Sequence, residues 1–231
     1  GYVALRVAGP KIGLPLAGFF SGFVSSTATI GAMGSRVQKQ PGVRRGAIAG
    51  AAISSVSSMV QLAIVIGVVN ITLLRRMALP LLAAGIMAVI YAALFIFRGA
   101  HDSGGHPGPS GRPFDPRATL LFVAVIGTAL VASALLTRWL GGAGLLLASA
   151  VSGLGDVHAT GISAASLAAN ESVTIDLAAL GVLTGVATNA ISKSVVAFSL
   201  GGRRYGLTLV PGILLTVAAA WGVLFVQKLF D

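Results

Sequence analysis

Long runs without a charged residue restrict the fold of this 231-residue chain more than any other feature. Most of them approach or exceed the ~20 apolar residues with which a helix crosses the ~30 Å hydrocarbon core of a bilayer. The seven runs are residues 12–35, 46–71, 77–97, 118–137, 139–155, 177–192 and 205–227. They are apolar almost all round and lack the alternation of a membrane β-barrel strand. We predict an all-α, polytopic integral membrane helical bundle.

The composition excludes a soluble domain and indicates which classes of partner the chain has. Only 10% of the residues are charged, against roughly 25% in soluble domains, and the mean hydropathy is +0.92. The 16 basic residues exceed the 6 acidic ones, but most of them flank apolar runs, where membrane topology and anionic lipids explain them. We therefore expect the lipid bilayer as a partner and no nucleic acid. Without cysteine there is no disulfide or thiolate site, and we expect no cofactor.

One polar segment divides the chain. Residues 98–117, RGAHDSGGHPGPSGRPFDPR, are too rich in Gly, Pro and Ser to form a helix or bury a core. We predict a linker there, between a first membrane half at 1–97 and a second at 118–231. Its His101, Asp102 and His106 have a spacing that fits no closed metal site, so we expect a solvated loop.

The two halves contain an internal repeat at an offset of 131 residues. Eight of 22 positions are identical between residues 13–34 and 144–165. The most specific matches are a Ser-Gly pair at 21–22 and 152–153 and an Ala-Thr pair at 28–29 and 159–160. Paired Gly- and Ser-interrupted apolar segments in corresponding halves are typical of transporter binding sites. Helix packing through small residues is the alternative reading.

The basic residues leave two topologies open. If all seven runs cross the membrane, Lys and Arg divide 7 against 8, which favours no orientation. If the repeated segments, 13–35 and 143–169, are broken or re-entrant and return to their own face, the division becomes 11 against 4, with Lys193 inside the membrane. Three crossings would then separate them, and the repeat would be inverted.

Asp156 and Lys193 are the only charged residues well inside the apolar segments of the chain, and such residues are costly and commonly functional. They form either a closed ion pair that fixes packing or a cation site that the lysine regulates. Asn189 lies on the same helix face as Lys193. His158 is a candidate proton relay or ligand, or is only hydrogen-bonded.

Hydroxyl groups complete the candidate ion site. They offer oxygens to a dehydrated cation or bond their own helix carbonyls. These residues are Ser25, Ser26, Thr27, Thr29 and Thr160. We predict a secondary transporter or permease for a small inorganic ion, a cation or a proton. A non-transporting regulator or scaffold is the main alternative and a lipid-modifying enzyme the third. We expect no enzyme, because no catalytic triad, nucleotide-binding or metalloprotease motif is present.

The strings SGFVSSTAT at 21–29, SGLGDVHAT at 152–160 and TNAISKS at 188–194 resemble the C-terminal membrane domain, of unknown function, of the MgtC/SapB family. The resemblance implies a multi-pass protein of the bacterial inner membrane with a loose link to magnesium homeostasis. It also implies an N-terminal MgtC-like domain, or a second copy of the chain, as a partner. His158 stands where the family often has a second acidic residue, which weakens the case for a two-carboxylate cation site.

Overall fold

The fold comes from a computed structural model that describes residues 2–98, 131, 135 and 139–230, with side chains from residue 13 to 97 and at 131, 135 and 139–230. Every regular element in these ranges is helical, which confirms the all-α class. The elements are α1 (Tyr2–Lys39), a 3₁₀ turn (Pro41–Val43), α2 (Arg44–Val69), α3 (Ile71–Arg98), α4 (Gly142–Gly155), α5 (Val157–Ala169) and α6 (Ile175–Phe230). Apart from Arg98 in the predicted linker and from Val131 and Leu135 in the run at 118–137, these two segments lie outside the described ranges.

Four helical stretches are long and apolar enough to cross a membrane. They are Gly13–Lys39, Pro41–Val69, Ile71–Phe97 and Ile175–Phe230. Large apolar side chains such as Val24 and Phe97, each more than 80% exposed, face outward from them. An exposed apolar surface of this kind requires lipid as its solvent. The chain is a membrane protein with transmembrane helices.

Helix α6 is too long for a single crossing. Its 56 residues would extend about 84 Å at 1.5 Å per residue, more than twice the ~30 Å hydrocarbon core. The helix breaks at Gly202, whose φ of 75° and ψ of 173° are accessible to glycine and strained for other residues. Two apolar segments, one before and one after Gly202, therefore result.

The chain forms two compact units. The first contains Gly1–Gln61, Pro80–Pro109 and Ser192–Asp231, and its core includes the fully buried Tyr205 and Ile30. The second contains Leu62–Leu79 and Ser110–Ile191, with Leu145 in its core. Each unit is thus assembled from segments distant in sequence, held together by apolar packing.

The two repeated segments differ in how they depart from a straight helix. The second is interrupted at Asp156, which lies extended between α4 and α5 with φ −154° and ψ 120°. The first is one helical element from Tyr2 to Lys39, so a break in it stays a prediction. Nevertheless, the Thr29 hydroxyl donates to the Ser21 hydroxyl at 3.0 Å, although eight residues of straight helix rise about 12 Å. Helix α1 therefore bends sharply between these residues.

Candidate functional site

Asp156 forms the junction between α4 and α5. Its backbone N–H donates to the Ser152 carbonyl at 2.8 Å and closes the last turn of α4. Its carboxylate accepts from the backbone N–H of His158 at 3.1 Å and caps the first turn of α5. A carboxylate is well suited to this position, because the first N–H groups of a helix have no partner in the helix and carry partial positive charge.

His158 adds a second contact to the same carboxylate oxygen. Its Nδ1 lies 2.7 Å from Oδ1 of Asp156, and both side chains are only 13% exposed. An ionised carboxylate can only accept, so Nδ1 carries the proton and donates it in this contact. The other atoms of the pair, Oδ2 of Asp156 and Nε2 of His158, are buried and have no hydrogen-bond partner within the described ranges. The pair thus presents two unsatisfied polar atoms.

A hydroxyl contact holds the two arms of this break together. The hydroxyl oxygens of Ser152 in α4 and Thr160 in α5 lie 2.7 Å apart, although the residues are eight positions apart. The arms therefore fold back on each other as a helical hairpin. The buried Asn189 amide of α6 donates to the Gly153 carbonyl at 3.1 Å, which fixes the hairpin against α6.

The bend in α1 is built in a related way within the first unit. The Ser25 hydroxyl accepts from the backbone N–H of Ala28 at 3.2 Å, as a helix-capping serine does. The Thr29 hydroxyl also donates to the Ser25 carbonyl at 2.8 Å. The buried Ser26 hydroxyl accepts from Ser58 of α2 at 2.7 Å, so the bend is fixed against α2. Each of these hydroxyls is used in packing.

The contacts of the two segments correspond at the offset of 131 residues. In both, a hydroxyl pair joins the arms, a polar side chain caps the second arm, and small residues contact the following long helix. The corresponding pairs are Ser21–Thr29 and Ser152–Thr160, Gly18–Gly50 and Ser149–Gly181, and Gly22–Ser54 and Gly153–Gly185. The capping bonds differ by one position, because Ser25 accepts from Ala28 whereas Asp156 accepts from His158. These contacts agree with the repeat predicted from the sequence, which stays a prediction.

The structure distributes the predicted site residues over the two units. Asp156, His158, Thr160 and Asn189 lie in the second unit, around the helix break. Ser25, Ser26, Thr27, Thr29 and Lys193 belong to the first unit. Lys193 is 4% exposed and buried. Because Asp156 and Lys193 lie in different units, their pairing stays a prediction, as does an approach of Thr27 to His158.

Two features of this site were not predicted as site residues. Gly185 packs so closely on the hairpin that a Cβ atom there would lie 2.6 Å from Cγ2 of Thr160. Ser152, one of the repeat identities, has a hydroxyl in the contact between the arms. Within the described ranges no three His, Cys, Asp or Glu side chains form a group that could hold a metal ion. The linker residues His101, Asp102 and His106 lie outside those ranges.

Comparison with known proteins corrects the family resemblance. The family that matches is described as "Domain of unknown function (DUF4010)", over residues 1–201. No match to the MgtC/SapB family accompanies it, so that prediction is wrong. The magnesium link and the bacterial inner-membrane location rested on that resemblance and are not supported. Short Ser-, Gly- and Thr-rich strings are shared too widely among membrane helices to identify a family. No curated protein and no solved structure matches the chain. The chain belongs to the family described as Domain of unknown function (DUF4010), whose matched region covers most of its length.

Proposed function

We propose that this protein is a secondary transporter or permease for a small cation or a proton, with its site at the Asp156 helix break. The observation that carries the proposal is a pair of buried atoms, Oδ2 of Asp156 and Nε2 of His158, that have no hydrogen-bond partner in the described part of the chain. When His158 is neutral and donates through Nδ1, both atoms are electron-pair donors. The missing partner must therefore supply positive charge or a hydrogen-bond donor.

The helix ends at the break also favour a positively charged ligand. The carbonyl groups at the end of α4 carry partial negative charge and attract a cation. The opposing positive end of α5 is already neutralised, because the Asp156 carboxylate caps it. Half-helix ends inside a membrane protein are a recurrent way to hold ions in secondary transporters. A cation at this junction would therefore meet partial negative charge from the end of α4, while the positive end of α5 is screened by the Asp156 carboxylate.

Counting membrane crossings supports a re-entrant hairpin at α4–α5. Gly34 of α1 contacts Gly201 of α6 within the first unit, where a Cβ on Gly34 would lie 2.8 Å from the Gly201 Cα. Residues in contact lie at the same depth in the membrane, so an even number of crossings separates them. If the uncharged run at 118–137 crosses as its sequence predicts, this run, helices α2 and α3 and the first segment of α6 make four crossings. If α4–α5 also crossed, the number would be odd.

The correspondence at offset 131 extends this argument to α1. If the bent segment of α1 is the equivalent hairpin, and residues 118–137 cross as their sequence predicts, three crossings lie between the two hairpins: α2, α3 and residues 118–137. An odd number of crossings between two such segments is the condition for the inverted repeat that the sequence predicts. Inverted repeats with broken helices are a common architecture of secondary transporters, in which the two halves exchange conformations during the cycle.

The alternative, a non-transporting regulator or scaffold, is favoured by a different observation. Gly18 and Gly50 bring α1 and α2 into backbone contact, so glycines in this chain serve close helix packing. A scaffold of this kind needs no unpartnered carboxylate, and its function would survive removal of the charge. Asp156 therefore discriminates between the two proposals.

The test is uptake into proteoliposomes with a panel of monovalent and divalent cations and a pH-sensitive dye. We expect flux for at least one ion, and loss of that flux in Asp156→Asn. Asp176→Asn is the matched control, because Asp176 lies in the same unit with a side chain that is 60% exposed. Equal flux in both variants, or no flux above empty vesicles for any ion, would refute transport through this site.

A further inference from the structure

Five exposed basic residues lie at one end of the first unit. Lys39 ends α1, Arg44 and Arg45 begin α2, and Arg203 and Arg204 follow the break in α6. We call these five residues the basic surface. They come from parts of the chain about 160 residues apart, so their proximity is a property of the fold.

Contacts between α1 and α6 place these residues together. Gly34 lies against Gly201, and a Cβ on Gly202 would collide with the side-chain amide of Gln38. The 3₁₀ turn Pro41–Val43 follows α1 directly, with Val43 N–H donating to the Gln40 carbonyl at 3.2 Å. Both sets of basic residues therefore flank the same junction.

The described part of the first unit contains no acidic residue. It consists of residues 2–61, 80–98 and 192–230. Exposed apolar residues adjoin the basic ones on α6: Leu200 is 48% exposed and Leu207 is 57% exposed. A ring of positive charge next to exposed apolar side chains matches the boundary between acyl chains and headgroups in a bilayer.

We propose that the basic surface binds the phosphate groups of anionic phospholipids. Arginine guanidinium groups donate to phosphate in a bidentate manner, and four of the five residues are arginines. The adjoining apolar residues favour a lipid over nucleic acid or an acidic protein, because only a lipid offers acyl chains and phosphate together. By the positive-inside rule this end of the unit faces the cytoplasm. The proposal does not depend on transport.

The experiment measures lipid affinity of the full chain in nanodiscs and detergent. Phosphatidylglycerol is titrated against the protein, with phosphatidylcholine and inorganic phosphate as parallel arms, and binding is followed by native mass spectrometry. Neutralising the surface by Arg203→Gln with Arg204→Gln should weaken phosphatidylglycerol binding by about fivefold per residue. Arg75→Gln with Lys228→Gln removes two exposed basic residues outside the surface and should leave binding unchanged.

A variant with Arg203→Lys and Arg204→Lys keeps the positive charge and is the control for misfolding. We expect it to bind more tightly than the glutamine variant, and we expect phosphatidylcholine and inorganic phosphate not to compete. Equal affinity in the glutamine variant and the Arg75 control variant would overturn the proposal. Competition by inorganic phosphate alone would show an anion site without lipid specificity, and equal binding of phosphatidylcholine would show a lipid contact that does not require a negatively charged headgroup. Either result refutes the assignment to anionic phospholipids.

Discussion

A disulfide can test whether α1 folds back on itself. The hydroxyl oxygens of Ser21 and Thr29 lie 3.0 Å apart, whereas eight residues of straight helix separate two such positions by about 12 Å. A disulfide needs Cβ atoms roughly 3.5–4.5 Å apart, which the bent helix permits and a straight helix forbids. We therefore expect Ser21→Cys with Thr29→Cys to form an intramolecular disulfide under mild oxidation.

The chain has no cysteine, so the assay has no background. Membranes are oxidised, denatured and treated with a maleimide-polyethylene glycol, and the cross-linked fraction is the fraction that shows no gel shift. Ser152→Cys with Thr160→Cys is the corresponding pair in the second unit, with its oxygens 2.7 Å apart. Leu82→Cys with Ile90→Cys, two exposed positions eight residues apart on α3, is the control that should stay reduced.

Three outcomes are informative. Cross-linking of the first two pairs and not of the α3 pair supports equivalent hairpins. Cross-linking of the 152 and 160 pair alone would show that α1 is straight, and the proposed inverted repeat would be refuted. Equal cross-linking of all three pairs would show that local unfolding, rather than the folded geometry, brings the thiols together.

Two stability predictions follow from contacts in and near the second unit. Gly185→Ala should lower the free energy of unfolding in detergent by about 1–3 kcal/mol, because its Cβ would lie 2.6 Å from Thr160. The control Gly85→Ala, where a Cβ would have nothing within 4 Å, should be neutral or stabilising. Equal melting temperatures of the two variants would contradict this prediction. The Nε atom of Arg76 lies 3.1 Å from Oδ1 of Asp176, whose side chain is 60% exposed. A double-mutant cycle should give this pair a coupling energy of about 0.2–1 kcal/mol, which high salt should reduce. A larger coupling energy that does not depend on salt would contradict a surface ion pair.

The helical membrane class was predictable because the hydrocarbon core sets a minimum length and polarity for any spanning segment. The apolar run at 46–71 corresponds closely to α2, and the run at 77–97 lies within α3. The break at Asp156 lies within the segment 143–169 that was predicted to be broken or re-entrant, and a carboxylate is more favourable as a helix cap than in a helix interior. The length and hydrophobicity of each segment, with the chemistry of its polar residues, were sufficient to predict these features.

Contacts between distant segments were not predictable in the same way. The α1 bend depends on Ser26 meeting Ser58 of α2, and neither residue indicates its partner through sequence spacing. Likewise, Gly185 can be recognised as a packing residue only when Thr160 lies opposite it. The family was misassigned because small polar residues recur in membrane helices for packing reasons alone.

The orientation of His158 leads to a prediction that separates the role of Nδ1 from that of Nε2. In His158→Asn the side-chain amide takes the place of Nδ1, so it can still donate to Oδ1 of Asp156, while nothing replaces Nε2. If Nε2 is a ligand of the cation, this variant should melt within a few degrees of the wild type, because the capped junction is retained, but should lose about tenfold or more in uptake. His158→Gln, whose amide reaches toward the Nε2 position, should lose stability because the Asp156 contact is broken. If the asparagine variant transports at the wild-type rate, His158 only orients the carboxylate, and the cation binds through Oδ2 of Asp156 without the imidazole.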